Sequence, residues 1–172
     1  MPNYRRNYVL GGTYFFTLVT FQRTKIFDTP NKLDILLGII RQVQRNKPFE
    51  LLAYCLIPDH THLLIRLPEE DSDFSIRIRE IKRLTTLWIK HETSENVDHI
   101  WQDKFWEHTI RDEKDLLRHF DYIHYNPVKH NLTKSFDEWK WSSYRQYYDS
   151  NNHQVKTIDT DQFDQYNGIF GD

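Results

Sequence analysis

The order of apolar and polar positions along the chain predicts a small α+β domain. Gly11-Gly12 marks a turn, and residues 13–21 behind it are rich in aromatic and β-branched side chains, which predicts a strand. Pro30-Asn31 opens a helical period carried by Leu33, Leu36, Leu37, Ile40 and Val43, which stops at Lys47-Pro48. Two further strands, residues 50–57 and 61–67, are joined by Pro58-Asp59. Asp71-Ser72-Asp73 caps a second helix that runs to about His91. That helix has an apolar stripe of Phe74, Ile78, Ile81, Thr85 and Trp88, and a basic one of Arg79, Lys82, Arg83, Thr86 and Lys90. A strand over residues 106–111 and a helix over residues 113–126 complete the pattern. The order β-α-β-β-α-β is that of a ferredoxin-like split β-α-β sheet, here with an additional C-terminal helix.

Composition narrows the setting. With 172 residues the chain is long enough for one domain with a real core, and aromatic residues at 15% supply much of its burial. Its single cysteine, Cys55, excludes a disulfide framework and suits a reducing compartment. No run reaches the roughly 18 apolar residues of a membrane span, and residues 1–6 lack a signal-peptide core, so a cytoplasmic location is expected. The net charge of −2 is unevenly spread: residues 149–172 hold five aspartates against Lys156, leaving residues 1–148 mildly basic. A domain over 1–148 with an acidic, flexible tail over 149–172 is expected, and a basic body is compatible with nucleic acid.

Two places carry candidate chemistry. In His60-Thr61-His62 the histidines are two apart on a strand, so both imidazoles face one side and Thr61 the other. Such a pair packs poorly in an apolar setting but ligates metal well. On the last helix Tyr122 and Asn126 are four apart and share a face, with Arg118 a turn earlier, while Leu116, Phe120 and Ile123 form the core-facing stripe. Pro127 disfavours helical geometry at Asn126, which predicts that the helix ends there. Read alone, Tyr122 is a surface tyrosine and Asn126 an end cap. Read with the histidines, two imidazoles and an amide oxygen leave open positions on a divalent ion that can polarise a phosphodiester. A tyrosine one turn away can then attack the same phosphate. Its phenol, with an ordinary pKa of about 10, needs help from the ion or from a nearby cation.

At these residues the chain resembles a known family. The stretch Ile57-Pro58-Asp59-His60-Thr61-His62-Leu63-Leu64 resembles the His-hydrophobe-His motif of the HUH single-tyrosine transposases. Asp121-Tyr122-Ile123-His124-Tyr125-Asn126-Pro127-Val128-Lys129 is similar to the tyrosine helix of their REP-associated subgroup. Tyr4-Arg5-Arg6-Asn7-Tyr8 with the Gly11-Gly12 strand, Trp101-Gln102 with Phe105-Trp106-Glu107-His108, and Trp141-Ser142-Ser143-Tyr144 fit that subgroup in order, so the resemblance spans residues 4–148. It implies a ferredoxin-like nuclease and strand-transferase acting on single-stranded DNA beside a palindromic hairpin. Tyr122 would form a 5′-phosphotyrosine, and His60, His62 and Asn126 would hold Mg²⁺ or Mn²⁺. Thr61 departs from the motif, being polar where a bulky hydrophobe is usual. Members of this subgroup can act as monomers, which is the expectation here.

For DNA contact the candidates are Arg5 and Arg6 among N-terminal tyrosines, the stripe Arg79, Lys82 and Arg83, then Arg111 and Arg118. Each has a plain alternative as a solvated side chain. Trp101, Trp106, Trp139 and Trp141 read first as core, and His108, His119, His124 and His130 as structural or surface residues. Two rival functions share these residues: a non-catalytic module that binds hairpin DNA or RNA, and a zinc hydrolase that uses water in place of tyrosine.

Overall fold

The computed structural model describes residues 6–93 and 99–148. Arg5 and the acidic tail lie outside the described residues, as does the boundary expected between domain and tail. Four strands, β1 (Thr13–Val19), β2 (Glu50–Ile57), β3 (His60–Arg66) and β4 (Trp106–Thr109), form one antiparallel sheet in the order β2-β3-β1-β4. The helices are α1 (Pro30–Asn46), α2 (Phe74–Thr93), α3 (Glu113–Lys129) and a short α4 (Tyr144–Tyr147). This is the expected ferredoxin-like α+β arrangement.

Strand alternation divides the core. Tyr14, Phe16 and Leu18 of β1, Tyr54 and Leu56 of β2, and Leu63 and Ile65 of β3 pack with Leu33, Leu36 and Ile40 of α1 and Phe74, Ile78 and Ile81 of α2. Phe15, Ala53, Cys55, Ile57 and Leu64 face the other way and meet Tyr122 and Ile123 of α3. His60 and His62 share the face of Leu64, because residues two apart on a strand point alike. Thr61 points toward α1 and α2 and is fully buried.

Side chains set most helix starts. Thr29 Oγ1 accepts from Lys32 N, with Pro30 at the first position of α1; Asp73 Oδ1 accepts from Ile76 N, and Asp112 Oδ1 from Asp115 N at 2.8 Å. The sheet's outer edge at β2 is covered: Leu56 N donates to Trp141 O and Ser143 N to Tyr54 O. The Trp141-Ser142-Ser143-Tyr144 stretch thus shields an edge that would otherwise pair with other chains.

Several boundaries differ from expectation. β1 stops at Val19 because Thr20 Oγ1 turns back to Thr24 O and Asp59 O. β4 ends at Thr109, short of Arg111. The largest difference is α3, which passes through Pro127 to Lys129. Proline removes one helical donor, whereas His130 N still donates to Asn126 O and Leu132 N to Pro127 O. So close to the helix end, one lost bond is tolerated.

His124 ties α3 to the edge-covering segment. Its Nε2–H donates to Ser143 Oγ at 2.8 Å, and that hydroxyl also accepts from Tyr54 N. Complete burial pushes its pKa down to about 3. An unfolded imidazole titrates near 6.5, so the unfolded chain takes up a proton that the folded one refuses. Stability present above about pH 6.5 therefore falls as pH drops toward 3, by about 1.4 kcal/mol per pH unit. Urea unfolding at pH 7 and pH 5 should show that loss, and His124→Asn should reduce its slope by about one proton. Identical slopes in the two proteins would contradict this role.

Candidate active site

β3 and α3 bring the two halves of the site together. Tyr122 is 1% exposed, and His60, His62 and Asn126 are fully buried. The inward stripe of α3 is Asp115, His119, Tyr122 and Asn126, and it faces the sheet. The expectation that Leu116 and Phe120 make the core face, with the tyrosine opposite, is therefore corrected: both are only half-buried. Ile123 alone of that trio is fully buried. A polar stripe can face inward here because β3 presents histidines to it rather than aliphatic side chains.

The imidazoles are held from behind. His60 Nδ1 lies 2.8 Å from Asp59 Oδ1, and His62 Nδ1 lies 3.0 Å from Thr17 Oγ1, the cross-strand partner of His62 in the β1–β3 register. A carboxylate only accepts, so His60 Nδ1 donates to Asp59, which leaves Nε2 facing inward. That Nε2 lies 3.3 Å from Asn126 Oδ1. Both atoms are of the kind that ligate a divalent ion, and they lie close enough together to hold one between them. Asn126 Nδ2 has no hydrogen-bond partner among the described residues, so the amide oxygen is the end the site engages. The donor set of two imidazoles and an amide fits a divalent ion with positions left for phosphate oxygens and water.

Tyr122 stands beside these groups, its ring centroid 5.4 Å from that of His62 in an edge contact. Phe15 lies beneath, stacked on His62 at 5.4 Å and edge-on to Tyr122 at 6.2 Å. Lys129 Nζ donates to Tyr122 Oη at 2.9 Å. His130, at the cap of α3, brings a further ring to 4.8 Å from His60. Asp59 is held below the usual carboxylate range despite burial, by its bond to His60 and by the charges of His60, Arg23 and His130. Arg23 reaches Asp59 Oδ2 at 3.5 Å from a turn in which Gln22 and Arg23 take φ of 52° and 53°. Two consecutive non-glycine residues in that region store strain beside the site.

Thr17, Asp59, Arg23 and Lys129 were not singled out from sequence. Asp59 had a signal, a carboxylate adjoining a histidine in a ligand motif. Lys129 lies two helical turns beyond Tyr122 but stays hidden while Pro127 is read as the end of the helix.

The expected DNA-contacting residues meet different fates. Arg6 is bound within the fold: it donates to Ser75 Oγ at 2.7 Å, sits 4.1 Å from the Phe105 ring centroid, and approaches Glu107. Lys82 donates to the carbonyls of Gln102 and Asp103, and burial lowers its pKa. With Arg79, Arg83 and Lys90 it lines an open groove of about 430 Å³ walled by His99–Asp103. That wall is attached to the end of β1 opposite His60, through Gln102 N to Val19 O and Phe21 N to Ile100 O. Arg83 also pairs with Glu80. Arg111 is exposed, with Nε 3.3 Å from Asp115 Oδ2, and Arg118 is half-buried at the margin of the inward stripe.

His108, Asp115 and His119 form a second histidine-carboxylate cluster. His108 Nε2 donates to Asp115 Oδ2 at 2.7 Å, and His119 Nδ1 to Asp115 O at 2.8 Å. The two rings stack at 4.5 Å and 15°, so their in-plane lone pairs cannot converge on one ion. The Arg111 guanidinium on the same carboxylate opposes a cation further. The cluster clamps the start of α3 to β4, and burial pushes the His119 pKa down to about 4.

A ferredoxin-like sheet carrying a His-x-His strand under a tyrosine helix defines a class of DNA-processing enzymes, and similarity to known proteins agrees. Residues 8–126 match the family described as Transposase IS200 like. The chain belongs to this transposase family. It is 42% identical over 145 residues to the REP-associated tyrosine transposase of Escherichia coli K12, covering 84% of this chain and 83% of that protein. A Haemophilus influenzae protein described as a candidate member of the same class is 42% identical over 152 residues, covering 84% of this chain and 86% of its own length. A solved REP-associated tyrosine transposase bound to a REP hairpin superposes with a TM-score of 0.76 at 38% identity, over 90% of both chains. Among the described residues no helix is long and apolar enough to cross a membrane.

Removing a group behind a ligand typically costs 10–100-fold in metal affinity. Thr17→Val and Asp59→Asn should each weaken Mn²⁺ binding by about that factor, read by electron paramagnetic resonance of free Mn²⁺. Unchanged affinity in both would remove these residues from the site.

Proposed function

We propose that this chain cuts and rejoins single-stranded DNA next to a palindromic hairpin, with Tyr122 as nucleophile. One observation carries the reading: the Tyr122 ring stands 5.4 Å from His62, while Asn126 one turn later reaches 3.3 Å from His60. A phenol and a set of potential metal ligands thus converge on one point, where a phosphodiester can meet both. His60, His62 and Asn126 would hold Mg²⁺ or Mn²⁺, which when bound supplies charge stabilisation to the phosphate oxygens.

The remaining work falls to the chain itself. Asp59 and Thr17 keep both Nε2 atoms aimed inward. Tyr122 packs against Phe15 and His62, which fixes the position of its ring beside the ligand set. Attack forms the Tyr122 Oη–P bond and breaks the bond from phosphorus to the 3′ oxygen. The product is a 5′-phosphotyrosine and a free 3′-OH. Because the phosphodiester energy is kept in the ester, the reverse attack by a 3′-OH reseals a strand, as transposition requires. Both halves of the site come from one chain, which supports action as a monomer.

Arg79 and Arg83, with Lys90, are the residues proposed to track the DNA backbone into the site, since their groove abuts the strand ends that carry His60. Arg111 and Arg118 would meet phosphates on the α3 side, and Arg5 would join them from the N-terminal arm. A hairpin similar to that bound by the solved relative is the proposed partner.

Tyr122→Phe should abolish nicking of a labelled hairpin oligonucleotide in Mg²⁺ or Mn²⁺ while keeping its affinity for the hairpin, and excess EDTA should silence the wild type. Nicking that survives Tyr122→Phe would sink the tyrosine mechanism in favour of a water-using zinc hydrolase. Wild-type binding without any nicking would favour the non-catalytic hairpin-binding module.

A further inference from the structure

We infer that Lys129 is a second catalytic side chain, stabilising negative charge on the tyrosyl oxygen as the Tyr122–phosphorus bond forms and breaks. The inference rests on Tyr122 being the nucleophile and adds a residue that neither the sequence motifs nor the metal ligands require.

The geometry comes from the unexpected length of α3. Had the helix stopped at Asn126, Lys129 would have left on a loop. Because it continues through Pro127, Lys129 falls two turns after Tyr122 on the same face. Its Nζ sits 2.9 Å from Tyr122 Oη and 5.1 Å from the ring centroid, so the ammonium lies at the oxygen end of the ring. The phenol is almost wholly buried and Lys129 half-buried, which shields the pair from solvent.

An ammonium has donors and no acceptor, so Lys129 cannot take the phenolic proton and must donate to Oη. Toward a neutral phenol this is an ordinary hydrogen bond. As the phenolic proton passes to water admitted with the DNA and charge gathers on Oη, the same contact becomes charge-assisted and strengthens. An interaction stronger in the charged state than in the ground state is the kind that raises a rate. The electron pair of the broken P–O bond leaves on the 3′ oxygen, which is protonated from water, so the proton balance closes without Lys129. During resealing the roles reverse: the 3′ oxygen attacks, and the departing tyrosyl oxygen regains the Lys129 contact.

The test is single-turnover cleavage of a hairpin oligonucleotide at saturating protein, with hairpin affinity measured in parallel, for Lys129→Met and Lys129→Arg. Removing one donor from a developing oxyanion typically costs about 10²–10³-fold in rate. Lys129→Met should lose about that much with unchanged hairpin affinity and unfolding midpoint, and Lys129→Arg should recover most of it. A substrate with sulfur at the 3′ bridging position should not selectively rescue Lys129→Met, because the defect lies at the nucleophile. A wild-type rate in Lys129→Met, a loss of affinity with the saturated rate preserved, or selective rescue by the sulfur leaving group would each overturn the assignment. Failure of Tyr122 itself reads differently, since wild-type protein would then yield no protein–DNA adduct at all.

Discussion

The structure depends on one buried polar interface, the packing of α3 on the histidine face of β3. Elsewhere the sheet is covered mainly by aliphatic and aromatic side chains, whose burial holds the layers together. Here Tyr122 and Asn126 meet His60 and His62, and polar groups removed from water must find partners or destabilise the fold. Asp59 and Thr17 satisfy the outer nitrogens, Lys129 satisfies the phenol, and what remains inside is a set of acceptors suited to a cation. The same constraint that keeps the interface folded therefore preorganises it for phosphate chemistry.

That interface explains the placement of elements around it. Thr17 can reach His62 only because β1 and β3 are neighbours in the register that opposes them, which requires the split β-α-β topology. Phe15, two residues away on the same face, supplies the floor under both His62 and Tyr122. The His108–Asp115–His119 clamp fixes the start of α3 to β4, and His124 with Ser143 fixes its middle to the covered edge of β2. A helix held at both points can present a side chain to a reacting phosphate with little slack, which is where much of the benefit of proximity resides.

Much of this was legible in the chain. Period-two and period-3.6 patterns pointed to the strands, helices and ferredoxin-like order, and the spacings of His60 with His62 and Tyr122 with Asn126 pointed to both halves of the candidate site. What stayed hidden had physical causes. The helix stripe of Tyr122 and Asn126 reads as exposed because hydrophobicity patterns assume an apolar core, and this core is polar on both sides. Pro127 reads as a terminator because its cost is judged locally, whereas downstream donors restore the last turn. Thr17 is a strand threonine like any other until the register sets it against His62. The contacts of Arg6 with Ser75 and Phe105 were hidden as well, because they pair positions far apart in sequence.

In the proposed reaction the phenol of Tyr122, and no other group, takes the DNA strand. The most direct test is mass spectrometry of the protein after reaction with a hairpin oligonucleotide, digested with trypsin and nuclease. Cleavage after Arg118 and Lys129 gives one peptide holding both Tyr122 and Tyr125. Fragmentation of this peptide should place a 5′-nucleotide phosphate on Tyr122. A phosphate on Tyr125 or on another residue, or cleaved DNA with no adducted peptide, would contradict it.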